Sequence, residues 1–212
     1  KNATEAINLV AYSWAMKNIN KNDSILISEM EHHSNLIPWQ IIAQRKQANL
    51  IYIPINKNGE LDIDEFNKLI TQNVKLVAIT HQSNVLGTIN PIQEIITTAH
   101  NYGALVLIDA AQSISHKNID INTLKCDFLV FSGHKMLGPT GVGVLYGKTE
   151  LLENMDPFLY GGQMISQVNL QESTWNSVPA KFEAGTPSIA QVLGLGSAIE
   201  YLLSIGLNRI DE

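Results

Sequence analysis

The sequence predicts an α/β protein with a mainly parallel mixed sheet, one antiparallel strand and helices on both faces. Apolar runs of strand length alternate along the chain with segments whose apolar residues recur at helical spacing. The wholly apolar run 104–108 indicates a sheet that is covered on both sides, as parallel sheets are. Only about ten residues, three of them glycine, separate the runs 128–131 and 142–146. That connection is too short for a parallel crossover with its own helix, so the last strand is predicted to be antiparallel.

Periodicity, capping residues and stop signals place the individual elements. The predicted helices are residues 4–16 with Thr4 near the N-cap, 38–47, 62–71, 91–102, and a last helix that Thr186 and Pro187 begin and that runs to about Leu203. The predicted strands are residues 24–28, 50–55, 76–80, 104–108, 128–131 and 142–146. Residues 31–35 are predicted to form a polar turn, and residues 160–185 a segment rich in loops.

Composition excludes several classes of protein. With 212 residues, of which 45% are apolar and 16% charged, the chain is predicted to be globular with one well-filled core. The net charge of -6 and the lack of a basic run argue against a nucleic-acid partner. The apolar runs are far shorter than the roughly 20 residues that a membrane span needs. The single cysteine, Cys126, excludes an internal disulfide and favours a reducing compartment, which we expect to be the cytoplasm.

The ends of the sequence suggest a longer protein. Lys1 is not an initiator methionine, and the polar residues 206–212 resemble the start of a further element. We therefore expect these residues to be a piece of a larger chain. An organelle such as a plastid stays open as the compartment if a transit peptide has been removed.

Polar side chains follow several of the predicted strands, at the edge where open α/β sheets bind ligands. They are His32, Asn84, Asp109, Gln112, Ser132, His134 and Lys135. A lysine at the end of a buried strand either snorkels to water, is paired, or is used covalently. A lysine for a Schiff base, a carboxylate for a pyridine nitrogen and a helix N-terminus at Thr4 for phosphate together describe pyridoxal 5'-phosphate (PLP) chemistry.

In this interpretation Lys135 forms the imine, and Asp109 keeps the pyridine nitrogen protonated so that the ring acts as an electron sink. Ser132 and His134 flank the lysine and close on the phosphate, while His32 stacks on the ring. Simpler explanations stay open at this point: Asp109 as the cap of a turn, and His32 as one of an exposed histidine pair.

Two other chemistries are weakly supported. The histidines and Cys126 lack the short ligand spacing of a zinc site. Cys126 precedes an apolar strand, so we interpret it as a packed thiol rather than a nucleophile.

Five segments carry a family resemblance: ISEMEHHSNLIPWQ, THQSNVLGTINPI, VLIDAAQSISH, FSGHKMLGPTGVGVLYG and FEAGTPSIAQVLGLGSAIEYL. They resemble the class V aminotransferases, and more closely the SufS-type (group II) cysteine desulfurases. The resemblance implies the large domain of PLP fold type I, the aspartate aminotransferase-like fold, over residues 1–212. It also implies that an N-terminal segment and a C-terminal small domain are absent from this sequence.

The resemblance further implies a homodimeric enzyme that converts L-cysteine to L-alanine. Its persulfide sulfur would pass to an acceptor protein of the SufE or SufU type and to the Suf scaffold for iron–sulfur cluster assembly. Two alternatives stay open: another class V enzyme, such as a selenocysteine lyase or cysteine sulfinate desulfinase, or a cofactor-binding and dimerisation module without turnover.

The resemblance also assigns roles to residues. Lys135 would carry the cofactor, His32 would stack on its ring, Asp109 would pair with the ring nitrogen, and Gln112 would contact the ring hydroxyl. Asn84 would contact the cofactor with its bound substrate, and the phosphate ligands would be Thr4, Ser132, His134 and Thr186 of the partner subunit.

Two departures from the family pattern concern small residues. Ala3 stands where the family usually has a first threonine, and Ala110 stands where glycine is common. The catalytic cysteine and the substrate-binding arginine of the family match no residue here, and Cys126 does not correspond to that cysteine.

Overall fold

The computed structural model describes residues 1–210, and its centre is a six-stranded sheet in the order β2-β1-β3-β4-β5-β6. The strands are β1 Ser24–Ser28, β2 Asn49–Ile53, β3 Val74–Thr80, β4 Leu105–Asp109, β5 Phe128–Ser132 and β6 Gly143–Gly147. Strands β1 to β5 are parallel, whereas β6 pairs antiparallel with β5. The predicted α/β class and the antiparallel strand are therefore confirmed. Asp211 and Glu212, the end of the polar segment noted above, lie outside the described residues.

The helices connect the strands and cover the sheet. They are α1 Ala3–Leu9, which continues through a π-helical stretch Val10–Ala15 into α2 Met16–Asn18, then α3 Ile37–Lys46, α4 Ile63–Leu69, α5 Ile92–Asn101, α6 Ile121–Leu124, α7 Thr149–Asn154, α8 Ile189–Ile205 and α9 Leu207–Ile210. Short 3-10 turns span His33–Asn35, Gly133–Lys135 and Ala180–Phe182. No helix in the described part of the chain has both the length and the apolar character to cross a membrane.

Alternation along the buried strands divides the core into two layers. In β1, Leu26 packs with α4 and α5 on one face, while Ile25 and Ile27 pack with α1 and α3 on the other. The same alternation holds in β3, because successive side chains of a strand point to opposite faces. Helices therefore cover both faces of the sheet, as the apolar strands predict.

Several predicted boundaries are corrected. Helix α1 begins at Ala3, one residue before the predicted start. Its N-cap is Asn2, whose side-chain oxygen accepts a hydrogen bond from the Glu5 nitrogen at 2.9 Å. Thr4 lies in the first turn, near the N-cap as predicted. Likewise α8 begins after Ser188 rather than at Thr186.

The segment predicted to be rich in loops contains a short antiparallel hairpin. Its strands are β7 Ile165–Val168 and β8 Ser173–Trp175, which form a separate two-stranded sheet. Both strands lie mainly on the surface, so they lack the apolar run that marks the strands of the main sheet.

The buried carboxylate of Asp127 forms hydrogen bonds and ion pairs that connect helix and strand ends at the amino edge of the parallel strands. Asp127 Oδ2 accepts a hydrogen bond from the Val106 nitrogen at 2.7 Å and contacts His100 Nε2 at 2.8 Å. Asp127 Oδ1 accepts from Lys148 Nζ at 2.6 Å. These contacts join α5, β4 and the residue after β6, so we expect Asp127 to contribute to stability.

Removing this carboxylate should destabilise the fold. Asp127→Asn leaves Lys148 and His100 without the charge that they face, and we expect a loss of roughly 2 kcal/mol in the free energy of unfolding. Urea unfolding of the full-length protein measures this loss, with the exposed Glu150→Gln as the control. Equal unfolding midpoints for wild type and Asp127→Asn would contradict the expectation.

Candidate active site

A cavity of about 250 Å³ opens at the carboxyl edge of the parallel strands. Its lining includes eight of the nine residues that the sequence assigns to a site: Thr4, His32, Asn84, Asp109, Gln112, Ser132, His134 and Lys135. The ninth, Thr186, is exposed and does not line this cavity. A larger depression of about 590 Å³ beside α5 has Glu94 as its one ionisable side chain, so it lacks a comparable convergence of polar groups.

Asp109 is the most deeply buried of these predicted ionisable groups. It ends β4, in the interior of the sheet, and is only 4% exposed. Its Oδ1 accepts a hydrogen bond from the Ala111 nitrogen at 2.9 Å. Burial raises the pKa of Asp109, whereas the Ala111 hydrogen bond and the charges of Lys135 and His32 lower it. Within residues 1–210 no side chain forms an ion pair with Asp109.

Lys135 reaches the cavity from a tight turn after β5. The turn needs glycines, because a Cβ on Gly133 would lie 2.8 Å from Val142 Cγ1, and one on Gly138 would lie 2.9 Å from the Gly133 oxygen. Lys135 itself is half-buried. The described residues offer it no hydrogen-bond acceptor or ion-pair partner, so its amine is available to a ligand.

The N-terminus of α1 is held against β5 and β6 at the other side of the cavity. The Ala3 nitrogen donates to Ser132 Oγ at 2.9 Å, which leaves the hydrogen of that hydroxyl free to donate elsewhere. A Cβ on Gly143 would lie 2.6 Å from Asn2 Cα, so only glycine permits this close approach. Together with Thr4, this edge can offer an anion hydroxyl groups and a helix N-terminus.

His32 and Asn84 lie on two separate turns at the mouth of the cavity. His32 Nδ1 is 2.6 Å from Ser34 Oγ and accepts from the Ser34 nitrogen at 3.2 Å. Asn84 is exposed on the turn after β3, where Ser83 Oγ accepts from the Leu86 nitrogen at 3.1 Å. Both side chains can therefore contact a ligand while their backbones are held in place.

Next to the cavity, sequence reasoning missed the buried ionisable group Glu31, which it placed in a polar turn without a role. Glu31 Oε1 accepts from Ser28 Oγ at 2.5 Å and from the Thr80 nitrogen at 3.0 Å, and Oε2 accepts from Asn35 Nδ2 at 2.6 Å. Burial raises the pKa of Glu31 to about 7, although these hydrogen bonds lower it, and the charge of Asp109 raises it further. The sequence feature that could have identified Glu31 as part of the site is its position directly before His32.

Cys126 is not part of the cavity. The thiol is fully buried in the core layer that α4 and α5 cover. Burial, with a smaller effect of the neighbouring Asp127 charge, raises the pKa of Cys126 to about 12. The interpretation of Cys126 as a packed thiol is confirmed. Across the described residues no group of three or more His, Cys, Asp or Glu side chains could hold a metal ion.

Residues 1–212 match the family model Aminotransferase class-V. The chain belongs to the class-V aminotransferase family. The resemblance seen in the sequence motifs is confirmed at this level, and it covers the whole chain.

Cysteine desulfurases are among the proteins to which the chain is similar in sequence and in structure. The chain is 53% identical over 212 residues to a probable cysteine desulfurase of Halalkalibacterium halodurans, covering 100% of this chain and 52% of that protein. The crystal structure of the Escherichia coli cysteine desulfurase CsdA superposes with a TM-score of 0.96 at 42% identity, over 99% of this chain and 52% of that chain. A C-DES mutant with glycine covalently linked to its PLP cofactor superposes with a TM-score of 0.87 at 25% identity, over 97% and 55% of the two chains. The chain thus spans about half the length of the curated relatives it matches.

Because burial raises the pKa of Asp109, this residue should make the stability of the cofactor-free protein depend on pH. A folded-state pKa above the unfolded value means that stability is fully present at low pH and is lost as the pH rises through the folded pKa. We therefore expect cofactor-free Asp109→Asn to unfold at higher urea than wild type at mildly alkaline pH. The difference should shrink as the pH is lowered.

Asp120→Asn is a control for which we expect a change in stability opposite in sign to that of Asp109→Asn. A hydrogen bond from Thr123 lowers the pKa of the exposed Asp120, so removing this carboxylate should reduce stability at neutral pH, and the deficit should disappear in acid. Urea unfolding of the full-length protein at several pH values measures both effects. A cofactor-free Asp109→Asn less stable than wild type at alkaline pH would contradict the assigned effect of burial.

Proposed function

We propose that this chain is the PLP-binding large domain of a SufS-type cysteine desulfurase, which converts L-cysteine to L-alanine. The observation that carries the proposal is the presence of Lys135 and the buried Asp109 in one cavity at the carboxyl edge of the sheet. The 53% identity to a probable cysteine desulfurase supports the choice of reaction within the family.

The residues of the cavity fit PLP. Asp109 is a buried carboxylate with one backbone donor and no ion pair among the described residues, and a protonated ring nitrogen would supply the missing cation. The Lys135 amine has no partner there and can bond covalently to an aldehyde. Thr4, Ser132 and His134 line the same cavity and suit a phosphate group.

In the proposed site, PLP supplies an electron sink for negative charge that develops at the substrate α-carbon. Lys135 would hold the cofactor through its amine and, when that amine is free, would move the proton of the substrate α-carbon. Asp109 would keep a proton on the ring nitrogen. His32 would pack on the ring face and Gln112 would hydrogen-bond to the ring hydroxyl. Asn84 would contact the cofactor with its bound substrate.

Sulfur transfer needs a reactive thiolate, and Cys126 does not provide it. A fully buried thiol with a raised pKa is neither ionised nor accessible to the substrate. We assign the nucleophilic cysteine and the arginine for the substrate carboxylate to residues outside these 212. The persulfide formed on that cysteine would then pass to a SufE- or SufU-type acceptor and the Suf scaffold for iron–sulfur cluster assembly.

The proposed enzyme is a cytoplasmic homodimer, with Thr186 of the partner subunit completing the phosphate site. The exposure of Thr186, and its position outside the cavity of its own chain, support a role across an interface. Exposed apolar side chains of the following helix α8 support the same arrangement, among them Ile189 and Leu193.

The proposal predicts a lysine-linked cofactor. The full-length protein with added PLP should show the visible absorbance band of the covalent form, and Lys135→Ala should lack it. Alanine production from L-cysteine should fall at least about 100-fold in this variant, because a positioned general base is lost. The exposed Lys68→Ala is the matched control and should behave as wild type.

Two results would contradict the cofactor assignment on which the proposed function rests. One is a wild-type protein without the band, which means that the cavity does not bind PLP. The other is a Lys135→Ala variant that keeps the band, which means that another lysine carries the cofactor. A wild type that has the band but makes no alanine from L-cysteine would leave the cofactor assignment intact and contradict the reaction.

A further inference from the structure

A hydrogen-bond network behind the His32 turn has no part in the roles proposed above. Its centre is Glu31, which is 9% exposed and bonded to Ser28, Asn35 and the backbone of Thr80. In the part of the chain that the structure describes, Glu31 forms no ion pair. Hydrogen-bond donors alone therefore hold this carboxylate, which is a costly arrangement for a buried charge.

The direction of these hydrogen bonds is set from the far end of the network. Trp39 is fully buried and its indole nitrogen can only donate, so Asn35 Oδ1 must accept from it at 2.9 Å. The Asn35 amide nitrogen is then the atom that donates to Glu31 Oε2 at 2.6 Å. The Thr80 nitrogen donates to Oε1 at 3.0 Å. Residue 31 therefore needs two acceptor oxygens, and a glutamine has only one.

These contacts join two walls of the cavity. Thr80 ends β3, lies opposite Asp109 in the parallel register, and lines the cavity with it. His32 follows Glu31 directly and lines the cavity from the turn that contains Ser34. The Glu31 carboxylate thus links the turn that carries His32 to the strand end beside Asp109.

We propose that Glu31 is a positioning residue whose carboxylate fixes the His32 turn against the end of β3, so that His32 faces the cofactor. This inference rests on the proposed function, because it requires PLP in the cavity. Glu31 acts through His32 and does not touch the cofactor, since its two oxygens are used by the three donors behind the turn.

Two variants and a control test the hydrogen-bond requirement in the full-length protein. Glu31→Gln places an amide nitrogen against the Asn35 amide nitrogen, whose orientation Trp39 fixes. The double variant Glu31→Gln/Asn35→Asp restores every donor–acceptor pair and conserves the charge, because residue 35 then accepts both from Trp39 and from residue 31. Glu29→Gln changes an exposed carboxylate two residues earlier and is the control.

PLP affinity, measured by absorbance titration, is the first readout. We expect Glu31→Gln to weaken binding about tenfold or more, since a buried donor loses its acceptor. The double variant should return to within about threefold of wild type, which is a small free-energy difference. Glu29→Gln should titrate as wild type.

A second readout separates positioning of His32 from a general loss of structure. In a His32→Ala background, Glu31→Gln should have little further effect on PLP affinity, because the residue through which it acts is absent. His33→Ala serves as the control background, since His33 does not line the cavity, and there the full effect should persist.

The proposal is overturned if Glu31→Gln titrates as wild type, or if its effect is as large in the His32→Ala background. Should Glu31→Gln fail to fold, the double variant decides: wild-type PLP affinity supports positioning, and a folded double variant with binding weakened tenfold overturns it. A wild type without the lysine-linked band would instead contradict the proposed function itself.

Discussion

The site depends on one constraint, the burial of the Asp109 carboxylate at the end of an interior strand. Burial without an ion pair raises the pKa of this group, so the protein alone stabilises the charge poorly. The backbone donor from Ala111 and the positive charge of Lys135 stabilise the Asp109 carboxylate only in part. A bound cation at this position would therefore gain a strong partner, which is the physical reason why the cavity suits a protonated pyridine ring.

The antiparallel strand β6 places the other groups around that carboxylate. Its pairing with β5 turns the chain back through a glycine-rich connection, which carries Lys135 to the same edge as Asp109. The start of β6 at Gly143 also lies against Asn2, where α1 begins. The lysine, the carboxylate and a helix N-terminus thus meet in one place, although more than 100 residues separate the first helix from β5.

Features that depend on local patterns could be predicted from the sequence, and those that depend on tertiary contacts could not. The alternation of apolar runs identified the six strands of the sheet, and the short glycine-rich connection identified the antiparallel one. Asn2 and Thr4 are both good capping residues, so the start of α1 could be predicted only to within one residue. The hairpin β7–β8 was missed because its strands lie on the surface. Glu31 resembled an exposed turn residue, and only its contact with Thr80 on a distant strand shows that it is buried.

Chemical trapping of the cofactor tests the central claim most directly. Borohydride reduction of the PLP-loaded full-length protein, followed by peptide mass spectrometry, would fix the cofactor to the lysine that holds it. The account predicts a pyridoxyl group on Lys135 alone, since its amine shares the cavity with Asp109. Modification of a lysine outside the cavity, or none at Lys135, would contradict the account.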